Sequence, residues 1–279
     1  MSFNTSEVLS DALNRTFSRN GILVMAGMFL ASLLGTIGLY SMVFDSFIEF
    51  WDEFVEEFPE LAELVEDPED FLPLAFDIPD ALSLFLVAIS IIASLVLLAV
   101  AIRAFHGEFT EELPTELVFD NIAWVAVNLF VGGIVFGILW MIGLVFFIIP
   151  GIIIFVLFVY FMAAVVIEDR NFVDAFATSV RVTKGERISV FVLFLAIFLI
   201  ALAVSIAFGL VGSFFILVNP IIAELIDILG RSIIMVYFAA AVAISYRELN
   251  QPADEDDADE SDEEDPFEEF TPASEGAQW

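Results

Sequence analysis

The 279-residue sequence contains no cysteine, one histidine, one lysine and only nine Lys and Arg together. Without cysteine there are no disulfides, no thiolate metal sites and no cysteine nucleophile, and the redox compartment stays unread. The lone histidine, His106, furnishes neither a zinc site nor a catalytic triad, and beside Gly107 it reads as a solvated or interfacial side chain. So few cations disfavour nucleic acid as a partner, because phosphate binding needs clustered Lys and Arg. There is no G-x-S-x-G, no H-E-x-x-H and no Walker A lysine loop, so the chain reads as non-enzymatic, with no cofactor expected. Carboxylate clusters are frequent, but a chain this acidic produces them without any Mg or Ca site, and no metal is expected.

What is present is apolar and acidic. Hydrophobic residues make up 60% of the chain and its mean hydropathy is +0.93, above the roughly 45–50% apolar usage of soluble domains. The same chain carries 41 Asp and Glu, for a formal charge of -32. A compact surface with that excess repels itself at ordinary salt, whereas at molar salt the Debye length falls to about 3 Å. The composition therefore reads as halophilic.

Charge and apolarity are segregated along the chain, which predicts an all-α integral membrane bundle of six spans. Residues 1–20 form an amphipathic helix, with Asn4 and Glu7 as a capping pair and Val8, Leu9, Ala12, Leu13 and Phe17 on one face. Residues 21–249 form the membrane domain. Its first span, 21–44, is 24 uncharged residues, about 36 Å of helix against roughly 30 Å of hydrocarbon. The second covers 81–102. The uncharged stretch from 121 to 167 is too long for one helix and is expected to break at Pro150-Gly151, giving spans at 122–149 and 151–167. The fifth covers 188–218, ending before Asn219-Pro220. The sixth, 225–246, has only 15 uncharged residues from Ser232 to Tyr246 and must recruit residues upstream.

Lys and Arg near spans stay cytoplasmic. Arg15, Arg19, Arg103, Arg170, Arg181, Lys184, Arg187 and Arg247 all fall on one side of a six-span chain, which places both termini in the cytoplasm of a multi-pass plasma-membrane protein. The loop 45–80 has 14 acidic residues and no cation, so it belongs outside. Its first part, with Phe47, Ile48, Trp51, Phe54, Val55 and Phe58, reads as an acidic amphipathic helix that extends span one or lies across the bundle mouth. Residues 250–279 read as a disordered acidic tail, in which Phe267, Phe270 and Trp279 are a candidate docking peptide.

Glu224, Asp227 and Arg231 share one helical face near the outer end of span six, with Asp227 four residues before Arg231. Ionisable groups at membrane depth often line a pathway, although a structural pair is the plainer reading. Small residues recur every fourth position at Gly27, Ala31 and Gly35, at Gly133 and Gly137, and at Ala201, Ser205, Gly209 and Ser213, which predicts close intramolecular helix seams. An internal echo links Asp11-Ala12-Leu13 before span one with Asp174-Ala175-Phe176 before span five, suggesting interfacial helices that feed membrane hairpins.

The segment Phe147 to Ile154, containing Pro150 and Gly151, is followed by Glu168-Asp169, Ala175, Ser179 and Thr183-Lys184-Gly185, with Tyr246-Arg247-Glu248-Leu249 at the end. About 100 residues of the second half thereby resemble bacterial and archaeal membrane proteins that include the membrane domain ahead of some glycerophosphodiester phosphodiesterases. The resemblance implies a membrane module, and no catalytic residue carries over, because the activity of those proteins resides in a separate soluble domain. The acidic loop and tail suit a halophilic archaeal branch.

Two functional classes remain. The first is a membrane scaffold or accessory module that organises lipids, other membrane proteins or soluble partners. The alternative is a transporter or channel, for which Asn128, Asn219 and the charges of span six are the polar groups on offer.

Overall fold

The computed structural model describes residues 4–59, 68–107, 109, 115–146, 148–216 and 218–250. The tail 251–279, with its three aromatic residues, and the loop stretch 60–67 lie outside the described residues, as does Phe147. The chain is an all-α bundle with six helical segments long and apolar enough to cross a membrane.

A first helix, α1 (Thr5–Thr16), turns directly into α2 (Arg19–Glu57). Asn4 and Glu7 do pair, at 3.2 Å, but the Asn4 side chain caps no backbone N–H. The next corner is firmer: the Ser18 hydroxyl accepts from the Gly21 N–H at 3.1 Å. Any side chain at Gly21 would collide with the carbonyl oxygens of Arg15 and Thr16, so this corner requires glycine. At 39 residues α2 is about 58 Å long. The acidic amphipathic segment is thus a continuation of span one, and a 3₁₀ turn at Pro68–Phe71 sets Phe71 against Phe47 and Trp51.

The return helix α3 (Asp80–His106) packs along α2. Gly27 meets Leu97, Gly35 meets Ser90 and Gly38 meets the Ser83 carbonyl, so the first small-residue ladder is an intramolecular seam. A helical turn, Thr115–Val118, precedes α4 (Ile122–Phe146) and its partner α5 (Ile148–Phe158).

The hairpin between α4 and α5 breaks earlier than Pro150-Gly151. Pro150 lies in the first turn of α5, where its missing N–H costs no helical bond. Gly151 serves close approach: a Cβ on Gly143 would meet its Cα at 2.8 Å. Gly133, Gly137 and Gly209 meet nothing within 4 Å, and Ser205, Gly209 and Ser213 are exposed on the bundle exterior. Those two ladders are therefore not seams, because a period of four permits close approach without naming the neighbour. Gly143→Val is expected to destabilise the bundle by roughly 2 kcal/mol through overpacking against backbone. Gly137→Val should stay within about 0.5 kcal/mol. Unfolding of both variants in detergent checks this, and equal costs would overturn the assignment.

The fourth span is a broken helix, α5 followed by α6 (Phe161–Ile167). Next come the interfacial helix α7 (Phe172–Val182), capped by the Asn171 side chain on Val173 and Asp174, and the long α8 (Arg187–Ile216). The echo between α1–α2 and α7–α8 is one of layout. Gly21 answers a close approach, whereas Gly185 adopts φ +101°.

The last span, α9 (Pro220–Asn250), recruits residues upstream as expected. Its most apolar stretch is 67% buried, against 22% for α2, α3 and α8. α9 packs on α1, α2, α3 and α8, so it is the central helix.

Candidate functional site

Antiparallel threading sorts the charges to two ends. The basic end holds α1, the C-terminal turn of α3, the α6–α7 corner, the start of α8 and the end of α9. The acidic end holds the far part of α2 and the starts of α3 and α9.

At the acidic end, Arg231 meets Glu224 at 3.0 Å and Asp227 at 2.5 Å, so the expected pair is a triad. Tyr40 of α2 stands beside the triad, close enough to Glu224 to interact with its carboxylate. Counting from Asn20 at the start of α2, Tyr40 lies about 30 Å along the helix, which puts the triad at the far membrane interface. Beside it opens a cleft of about 310 Å³ lined by Asp70, Phe71, Gly209, Gly212, Glu224 and Asp227.

At the basic end, Arg103 organises a second constellation. Its Nε donates to the Val166 carbonyl at 2.9 Å, and Nη1 donates to the Val118 and Asp120 carbonyls at 3.0 and 2.5 Å. Its Nη2 meets Asp169 at 3.0 Å. Asp169 and the nearby Asn121 hold φ +50° and +48°, left-handed values that Asp and Asn tolerate best. One planar guanidinium thereby ties α3 to the end of α6 and to the strand-free turn before α4.

Next to it, Glu168 accepts from the Tyr246 hydroxyl, from Arg170 Nε at 2.6 Å and from Asn250 Nδ2 at 3.4 Å. Burial pushes the Glu168 carboxyl up, but the hydrogen bonds from Tyr246 and Arg170 and the adjacent guanidinium charge outweigh it, holding it below the usual carboxylate range. A depressed folded-state pKa adds stability that is complete above the ordinary Glu value and is lost as pH falls through the lower, folded one. Wild type should therefore lose more stability than Glu168→Gln between about pH 5 and pH 3. Parallel unfolding midpoints for the two proteins across that range would contradict it.

Ser179, Thr183 and Gly185 of the family-like motif also gather here. The Ser179 hydroxyl accepts from the Tyr160 N–H at 3.2 Å and donates to the Leu157 carbonyl at 2.7 Å, stitching the α5–α6 break. Thr183 Oγ1 donates to the Ser179 carbonyl at 3.0 Å. Lys184 is exposed in the following turn, while Pro150 and Gly151 stand at the opposite end of the bundle.

The two asparagines expected on a polar path have other employment. Asn128 donates to the Trp124 carbonyl at 2.9 Å and accepts from the Phe172 N–H at 3.0 Å. Asn219 caps α9 by accepting from Ile221 and Ile222. Arg103, Tyr246 and Tyr40 were missed as organisers. Arg103 read only as a topology marker, and the local signal for more was a charged residue closing an apolar span.

No group of three or more His, Cys, Asp or Glu suited to a metal ion occurs among the described residues. The fold and its two polar ends define an all-α polytopic membrane bundle. Within that class the chain belongs to the family described as a domain of unknown function, DUF7847, whose model matches residues 4–249. No curated protein and no solved structure matches it.

Proposed function

We propose that the chain is a non-enzymatic scaffold or accessory module of the plasma membrane, with both termini cytoplasmic, serving a halophilic archaeal cell. The observation that carries this reading is how the polar groups inside the bundle are used. Ser232 and Ser245 return their hydroxyls to the carbonyls of Ile228 and Ala241 in their own helix, and Asn128 clamps α4 to the start of α7. Between the two ends, α9 presents Ala239 to Ala243 fully buried against its neighbours. A permeant solute or ion needs a line of unsatisfied polar groups, whereas here Ser232, Ser245 and Asn128 are spent on backbone. The buried hydroxyls of Ser83 and Tyr160, unpartnered among the described residues, lie toward opposite ends of the bundle rather than in a line. The resemblance of the second half to the membrane domains that precede certain phosphodiesterases supports an accessory role beside a soluble partner. The acidic excess supports high salt.

Two measurements test the reading. Isolation from native membranes at high salt is expected to recover one stoichiometric partner. Recovery of none, together with solute flux in proteoliposomes that Asp227→Asn abolishes, would establish the transporter alternative instead. For orientation, a single Cys at Asp70 is expected to react with an impermeant thiol reagent on intact cells and one at Asp174 to stay protected; the reverse pattern would invert the topology.

A further inference from the structure

The chain has 41 carboxylates for nine Lys and Arg. Under that ratio a cation without an acidic partner is unexpected, and four of the nine form ion pairs among the described residues. Arg15 pairs with Asp11, Arg103 with Asp169, Arg170 with Glu168, and Arg231 with Glu224 and Asp227. Arg181, Lys184 and Arg187 meet no carboxylate among the described residues, and all three are exposed within seven positions of one corner. Among the described residues Arg181 donates to a neutral group, the Thr178 hydroxyl, at 3.0 Å.

The nearby acids are turned to other work. Glu186, the carboxylate inside this stretch, accepts from the Ser189 hydroxyl at 2.7 Å. Asp174 on α7 accepts from Asn171 Nδ2 at 2.5 Å. Positive φ at Gly185 turns the chain between α7 and α8, so the three cations lie on the two sides of one short corner. The Glu186 carboxylate offsets one of the three cations, so residues 181–187 hold an excess of two positive charges, three minus one, in a chain of net charge -32.

The depth of the corner says what meets it. Ile188, the residue after Arg187, is 80% exposed at the start of a membrane span, and Val173 on α7 is 60% exposed. Aliphatic side chains this bare at a span's entry belong in the acyl region, so cations one residue earlier sit at the level of lipid phosphates. We propose that Arg181, Lys184 and Arg187 form a binding site for the phosphate headgroup of an anionic lipid. Lys184 and Arg187 lead into α8, so a bound headgroup anchors α8 at this face whichever way the bundle is oriented, and independently of a scaffold or transport role.

The test uses the full chain in phosphatidylcholine bilayers at 0.1 M salt, carrying either spin-labelled phosphatidylglycerol or spin-labelled phosphatidylcholine, and reads the motionally restricted lipid fraction. Wild type is expected to prefer phosphatidylglycerol by about fivefold or more, since each cation near an anionic surface contributes on that order. Combined Arg181→Gln, Lys184→Gln and Arg187→Gln should bring the ratio close to one, with helix content and unfolding midpoint unchanged because the three side chains are exposed. An unchanged preference in that variant overturns the proposal. So does loss of the preference when inorganic phosphate replaces chloride at matched ionic strength, which would mark a site for free anions. Absence of the preference in the intact chain, with its appearance once the Asp and Glu of 251–279 are replaced by Asn and Gln, would show that the chain's own acidic segment is the occupant.

Discussion

Replacing Arg103 with Met is expected to cost about 3–5 kcal/mol of bundle stability, the largest effect of any single substitution considered. The side chain is 10% exposed and holds three carbonyl oxygens and one carboxylate. Methionine fills similar volume but leaves those acceptors unmatched at the edge of an apolar phase, where each unsatisfied group is expensive. Arg103→Lys should recover only part of the loss, because a point-like ammonium cannot reach Val166, Val118 and Asp169 in the directions the planar fork serves. Asp169 itself is 42% exposed, so Asp169→Asn should cost under about 1 kcal/mol. Unfolding in mixed micelles ranks the three. Equal costs for Arg103→Met and Asp169→Asn would show that only the ion pair matters.

Ser179→Ala is expected to cost about 3 kcal/mol, an unusual sum for one oxygen atom. The hydroxyl serves both sides of the α5–α6 break, and its residue is fully buried, so water cannot take its place. Two backbone groups lose their partner at roughly 1–3 kcal/mol each, and repacking recovers part. Ser189→Ala removes a hydroxyl whose one partner is the Glu186 carboxylate, and should stay within about 0.5 kcal/mol. A Ser179→Ala protein as stable as the Ser189→Ala control would mean that the break needs no stitch.

Both effects show where the sequence was legible. Spans one and two followed from uncharged length alone, because lipid accepts any apolar side chain and length is the main constraint. The hairpin before Pro150 was misplaced by a few residues, since proline marks a helix start as readily as an end and Gly151 exists for Gly143. Span six looked weakest because only 15 uncharged residues run from Ser232 to Tyr246, and its most apolar stretch has a mean hydropathy of 1.9, against 3.1 for α8. The same number has a structural cause: a helix wrapped by protein does not need to satisfy lipid, so alanine and serine are tolerated, while the half-exposed Asp227 and Arg231 stand at the far interface. The charge triad was legible as a helical face, but Tyr40 was not, since it arrives from a helix 184 residues away in sequence. Ser179 was marked only through the resemblance, and what it and Arg103 hold together was not legible. Their acceptors are backbone carbonyls, and a carbonyl leaves no trace in the identity of a residue.

The burial of α9 has a consequence for how the protein is made. Helices emerge from the ribosome in sequence order, yet α1, α2, α3 and α8 all pack on a segment synthesised after them. Until α9 arrives, the space it will occupy must be closed by lipid or by a holding factor, and the Tyr246–Glu168 and Arg247–His106 contacts are missing. Assembly therefore completes late. A product halted before Pro220 is an open shell, recognisable to quality control by the faces that α9 would have covered.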